Sequence, residues 1–197
     1  MTDFLADRLA FHDIAIRGIS PYGFGTPGTF WELPEGWDDV TQQVTESPVL
    51  ESGVMLLSEA ESNHAFHQNI ATYAWVLDGS VPFRAIFEDL TEPTPDDAAD
   101  VETTSVVDKR YDHHAQASLN TRFVSLVGDE QLQFYSATLF NWWPLDTKGK
   151  QTPFKEPSLL IQRTLVAVDE EQTSPLPGFR ELPENLEDFT APDNSES

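Results

Sequence analysis

From about Val49 onward, apolar and polar residues alternate in short runs punctuated by Gly, Pro, Asp and Asn. A period of two places alternate side chains on opposite faces of a strand. The runs fall at 52–60, 71–79, 81–90, 102–112, 119–128, 131–143 and 158–169. Val81, Phe83, Ala85 and Phe87 share a face opposite Arg84 and Glu88. Leu119, Thr121, Phe123, Ser125 and Val127 do the same against Asn120 and Arg122. "LDGSVP" around Gly79 and "VGDEQL" around Gly128–Asp129 have the residues of tight hairpins. No strand–helix–strand rhythm interrupts the series. The pattern predicts an all-β domain, an antiparallel β-sandwich or jelly roll of about seven or eight strands.

The ends read differently. "TDFLADRLAFHDIAI" (2–16) suits a short helix, with Thr2 or Asp3 as cap and acids in the first turn, where the helix dipole favours them. Phe4, Phe11 and Ala15 fall along one side, beside Leu5 and Leu9. The next segment, "RGISPYGFGTPGTFWELPEGWDD", is too rich in Gly and Pro for a regular element. Its aromatics (Phe24, Phe30, Trp31, Trp37) predict an ordered extended arm, since disordered segments are poor in aromatic residues. From Glu170 onward Pro and acids recur throughout, which predicts an irregular tail. The expected organisation is an N-terminal helix and arm over 1–48, a β domain over 49–169 and an acidic tail over 170–197.

The strand 131–143 ends in two adjacent tryptophans. Leu132, Phe134, Phe140 and Trp142 share its more apolar face, which predicts that Trp142 enters the core. Trp143 then lies on the opposite face with Tyr135 and Leu139, next to a loop (143–157) that holds three of the four lysines. A tryptophan brings about 200 Å² of surface to a contact, and such residues often anchor interfaces. Trp31, Trp37, Trp143, Phe179 and Phe189 are accordingly the interface candidates.

Charge narrows the partners. Thirty-four acids face eleven bases, for a formal net charge of -23. That balance repels nucleic acid and anionic lipid, so no direct nucleic-acid binding is expected. The Lys-poor, Asp- and Glu-rich composition resembles that of proteins from salt-in halophiles, where salt at about 1 M shortens the Debye length to about 3 Å. No cysteine is present, so disulfides and thiolate chemistry are excluded. No apolar run approaches the ~18–20 residues of a transmembrane segment. The opening residues lack the basic flank of a signal peptide.

Trp31, Trp37, Trp75, Trp142 and Trp143 could stack on sugars, but no pair among the thirty-four acids is singled out for glycosidase chemistry. The other candidate chemistry is carried by histidines. "NHAFHQN" holds His64 and His67 three apart, and "YDHHAQ" places Asp112, His113 and His114 together. Imidazole and carboxylate ligands suit zinc, iron or nickel, and two such loops meeting in a β-sandwich would make a cupin-like metal site. The His-X-His spacing of cupins is missing. Adjacent His113 and His114 diverge in an extended chain. Nucleophile elbows, phosphate loops and dinucleotide fingerprints are also missing. No catalytic residue and no cofactor are therefore expected.

A β domain flanked by an aromatic arm and an acidic tail resembles structural proteins of virus particles, such as single jelly-roll capsid proteins and tail or decoration proteins. The resemblance is architectural, with no shared motif. It implies a non-enzymatic structural component of an assembly, with copies of itself or other particle proteins as partners, located in the virion of a halophilic host's virus. The alternative is a small-molecule or glycan-binding β-sandwich in a halophile's cytoplasm, including a metal-dependent enzyme using His64, His67, Asp112, His113 and His114.

Overall fold

The computed structural model describes residues 4–18, 35–41, 43, 53–59, 65–79, 81–88, 90, 94–111, 114–144 and 157–168. In chain order these form α1 (Phe4–Phe11), β1 (Ala15–Gly18), β2 (Trp37–Asp39), β3 (Gly53–Ser58), β4 (Asn69–Asp78), α2 (Phe83–Phe87), β5 (Ala99–Tyr111), β6 (His114–Val127), β7 (Glu130–Pro144) and β8 (Pro157–Val168). The protein is mostly β, and its eight strands join one antiparallel sheet in the order β2-β3-β4-β8-β7-β6-β5. β1 pairs with residues 75–78 of β4, and β3 pairs with residues 69–73, so β1 and β3 lie end to end along one flank of β4.

β5 to β8 form a meander that runs inward from the far edge until β8 meets β4. The turn between β6 and β7 is the expected two-residue hairpin: Val127 pairs with Glu130, and Gly128 takes a φ of +63°. A side chain at that position would be strained in the left-handed region.

Three expectations are corrected. Residues 81–90 are not a strand. Phe83, Ile86, Phe87 and Leu90 are all buried, at the i, i+3, i+4, i+7 spacing of a helical face. The period of two also fits Phe83 and Phe87 but leaves Ile86 outside, so the helix buries more apolar surface. Gly79 consequently turns the chain from β4 toward α2, with a φ of +143°, rather than closing a hairpin. The opening helix also stops early. Asp13 N–H bonds Ala10 O (3.0 Å) and Ile14 N–H bonds Leu9 O (2.9 Å), with Asp13 at a φ of +56°. This is the paired closing bond pattern of a Schellman motif, and buried Leu9 and Ile14 supply its apolar contact. β1 then begins, so part of the region expected to be an arm is hydrogen-bonded into the sheet, as is β2.

The sheet has two unlike faces. On one, α1 and α2 pack across β4, β8, β7 and β6, and Leu5, Leu9, Phe83, Ile86 and Phe87 meet Trp75, Leu77, Phe140 and Leu160. The ring of Phe87 lies 4.9 Å from that of Phe140, and Phe83 lies 6.1 Å from Trp142. Farther along the same face, Phe123, Leu132, Phe134 and Val168 form a second cluster, joined by Phe66. The rear face has its own cluster of Trp37, Val54, Leu56, Ile70 and Leu165. β8 is buried on both faces, which is why "SLLIQRTLVAV" reads as an almost unbroken apolar run.

Candidate functional site

The strand register places the histidines. Phe66, next to His67, packs on Phe134 at 4.9 Å. Ala115, next to His114, pairs with Trp142. Phe134 and Trp142 lie on the same strand eight residues apart, a separation of roughly 27 Å at strand rise. His67 and the backbone of His114 therefore lie near opposite ends of the sheet. The His67 side chain is exposed. His64, Asp112 and His113 lie outside the described residues, as does the side chain of His114. Among the described residues no group of three His, Cys, Asp or Glu is arranged to hold a metal.

The two adjacent tryptophans are both covered, on opposite faces of β7. Trp143 is 1% exposed, and Trp142 is only partly buried, against the helix-bearing cluster. Alternation separates the two correctly, but both faces of β7 are covered at this end, so the rear-face residue is the deeper one. Trp37 is buried in the rear cluster. Neither Trp37 nor Trp143 offers an exposed anchor. Trp31, Phe179 and Phe189 lie outside the described residues.

Polar side chains cross the sheet between the apolar clusters. On the helix-bearing face the hydroxyls of Thr103 and Thr121 lie 3.2 Å apart, those of Thr138 and Thr164 lie 2.8 Å apart, and Gln162 Nε2 donates to Thr164 Oγ1 at 3.2 Å. Thr121, Ser136 and Thr138 are buried. These neutral groups satisfy one another across neighbouring strands and act as sheet cement. Among the described residues, two buried groups, Trp142 Nε1 and Ser158 Oγ, have no hydrogen-bond partner. On the rear face Arg163 is 6% exposed, and its Nε donates to Thr72 Oγ1 at 3.5 Å. Burial pulls its pKa below the ordinary arginine value, since desolvation disfavours the charged form.

The large apolar side chains exposed among the described residues are Phe11 (83%), Ile16, Val101 and Leu126 (59%). They fall in two pairs at the two lateral edges of the sheet. Ile16 belongs to β1, whose four residues are all exposed, and Phe11 is the last residue of α1, just before it. Val101 belongs to β5, the last strand of the sheet order, and Leu126 lies beside the start of that strand, where its N–H donates to Asp97 Oδ2. Phe11, expected on one side of the opening helix with Phe4 and Ala15, is thus exposed, and Val101 and Leu126 have no distinguishing mark in the sequence pattern. A signal existed for Phe11 and Ile16: in "LAFHDIAI", Leu9 and Ile14 already fill the inward positions, leaving Phe11 and Ile16 to point elsewhere.

No helix among the described residues is long and apolar enough to cross a membrane. No protein-family model matches the chain, and no curated protein matches it. Among solved structures, the crystal structure of LpqN, involved in cell envelope biogenesis of Mycobacterium tuberculosis, is similar with a TM-score of 0.48 and 10% identity, over 84% of this chain and 86% of that one.

Proposed function

We propose that the protein is a non-enzymatic structural component of a macromolecular assembly, with other copies of itself or other structural proteins as partners. The observation that carries this reading is the pairing of exposed apolar side chains at both lateral edges of the sheet, where main-chain hydrogen-bonding groups are also presented. Apolar side chains beside an open strand edge are features that neighbouring chains use. The acidic composition favours a halophilic setting, and the virus particle of a halophilic host is the assembly proposed. The sandwich or jelly-roll description belongs to the same proposal: the buried rear face of β4 and β8 is the surface against which a second layer would pack.

Density-gradient fractionation of the tagged chain from the organism that produces it tests the assignment. A structural component sediments with a large particle in fixed ratio to other proteins. A chain that stays at the top of the gradient as a free monomer overturns it.

A further inference from the structure

The two edges of the sheet are complementary to each other. β1 presents Ile16 and Arg17, with Phe11 beside them. β1 is hydrogen-bonded to β4 on one side, and no strand pairs with its other side among the described residues. At the far edge, β5 is hydrogen-bonded to β6 alone. Its opening residues, Ala99 to Glu102, are all exposed and include Val101 and two acids, Asp100 and Glu102.

Charge gives the pairing its direction. Bases are outnumbered 34 to 11 in this chain, so an exposed arginine at a strand edge stands out. The other described basic side chains are engaged within the chain. Arg8 donates to the carbonyls of Ile86 and Glu88, Arg84 pairs with Glu88, Arg122 lies over the Tyr135 ring and stands opposite Glu102 on the neighbouring strand, and Arg163 is buried. Of the two acids near β1, Asp13 precedes the strand, and Asp78 pairs with Ala15, one diagonal step from Arg17, which stands opposite Val76.

We propose that β1 of one copy docks against the start of β5 of the next, with Arg17 facing Glu102 and with Phe11 and Ile16 against Val101. This inference rests on the assembly reading and adds the partner, a second copy, and the surfaces used. The contact is heterologous, so repetition generates a ring or an open chain rather than a closed pair. The β5 register shifts between Ala99 and Glu102, and Asp100 there takes a φ of +51°. Such a bulge breaks a continuous ladder, so side chains carry the contact and each single contact is weak. Weak contacts become effective when many are made in one particle.

Light scattering of the purified full chain across a concentration series tests this, at the lowest salt in which the chain keeps its fold. The wild-type mass rises with concentration. Arg17→Glu alone and Glu102→Arg alone each weaken association by about tenfold, because each places like charges across the contact. The double variant restores it. Both positions are exposed, and a cooperative thermal transition confirms that the variants fold; Glu102→Arg lowers the midpoint a little, because residue 102 stands opposite Arg122. A wild-type chain that stays monomeric throughout overturns the contact. So does association that neither single substitution weakens; if the chain still sediments with a particle, the assembly reading stands and another surface carries it. Weakening by both single variants without rescue by the double overturns the Arg17–Glu102 pairing.

Discussion

Asp97 is exposed, yet its Oδ2 accepts hydrogen bonds from the backbone N–H of Leu126 (3.1 Å) and from Ser125 Oγ (2.9 Å). These bonds, the one from Leu126 foremost, hold its pKa below the usual aspartate value, because both donors favour the ionised form. With the folded pKa below the unfolded one, the contribution to stability is complete above the unfolded value of about 3.9 and fades as pH falls through the folded value. A carboxyl NMR titration of Asp97 is expected to show a midpoint below about 3.9, and a midpoint at or above that value would contradict the bonds. Other single residues take positions that periodicity along the chain does not encode. Asp13 ends α1 in a conformation for which Gly is the usual marker, and without a Gly in "AFHDIAI" the helix is expected to continue. Trp142 and Trp143 were separated correctly by alternation. Their relative depth depends on what covers each face, which periodicity along one strand does not encode.

At the scale of elements, α2 is too short to be stable as an isolated helix. Packing and one long side chain hold it. Phe83, Ile86 and Phe87 are buried, while Arg8 of α1 donates to Ile86 O at 2.9 Å and Glu88 O at 2.6 Å, supplying donors that the helix end lacks. Arg8→Met keeps the apolar stem and removes the donors, so it is expected to lower stability by about 1–3 kcal/mol in urea unfolding. Phe87→Ala, which empties a site against Phe140, is expected to cost about 3–5 kcal/mol. A loss of under about 0.5 kcal/mol for Arg8→Met, the range of ordinary surface substitutions, would show that the clamp does not hold α2. The exposed Arg84–Glu88 pair adds little by comparison. The strands β3 to β8 were readable because each alternates or forms a dense apolar run. The strands β1 and β2 were not, since three or four residues are too few for a period to emerge and their pairing with β4 and β3 is a tertiary fact.

At the scale of the whole molecule, the decisive feature is the meeting of β4 and β8, with Asn69 opposite Val166 and Asp78 opposite Pro157. The run of β8 announced burial on both faces. Its place between β4 and β7 depends on partners nearly a hundred residues away, so strand content could be anticipated and strand order could not. The same molecule carries a net charge of -23, and that self-repulsion opposes any compact state. Salt acts on it directly, since the Debye length falls from about 10 Å at 0.1 M to about 3 Å at 1 M. The urea midpoint at neutral pH is therefore expected to rise with KCl, most steeply below about 1 M and little beyond, because screening saturates once the Debye length is shorter than the spacing of surface charges. The sign can be checked by removing the charge instead of screening it. Near the sequence pI of about 4.2 the acids and bases balance, so the same salt series should leave the midpoint almost unchanged. A midpoint that climbs steadily at both pH values would assign the effect to exclusion of salt from the protein surface and would remove self-repulsion as its cause.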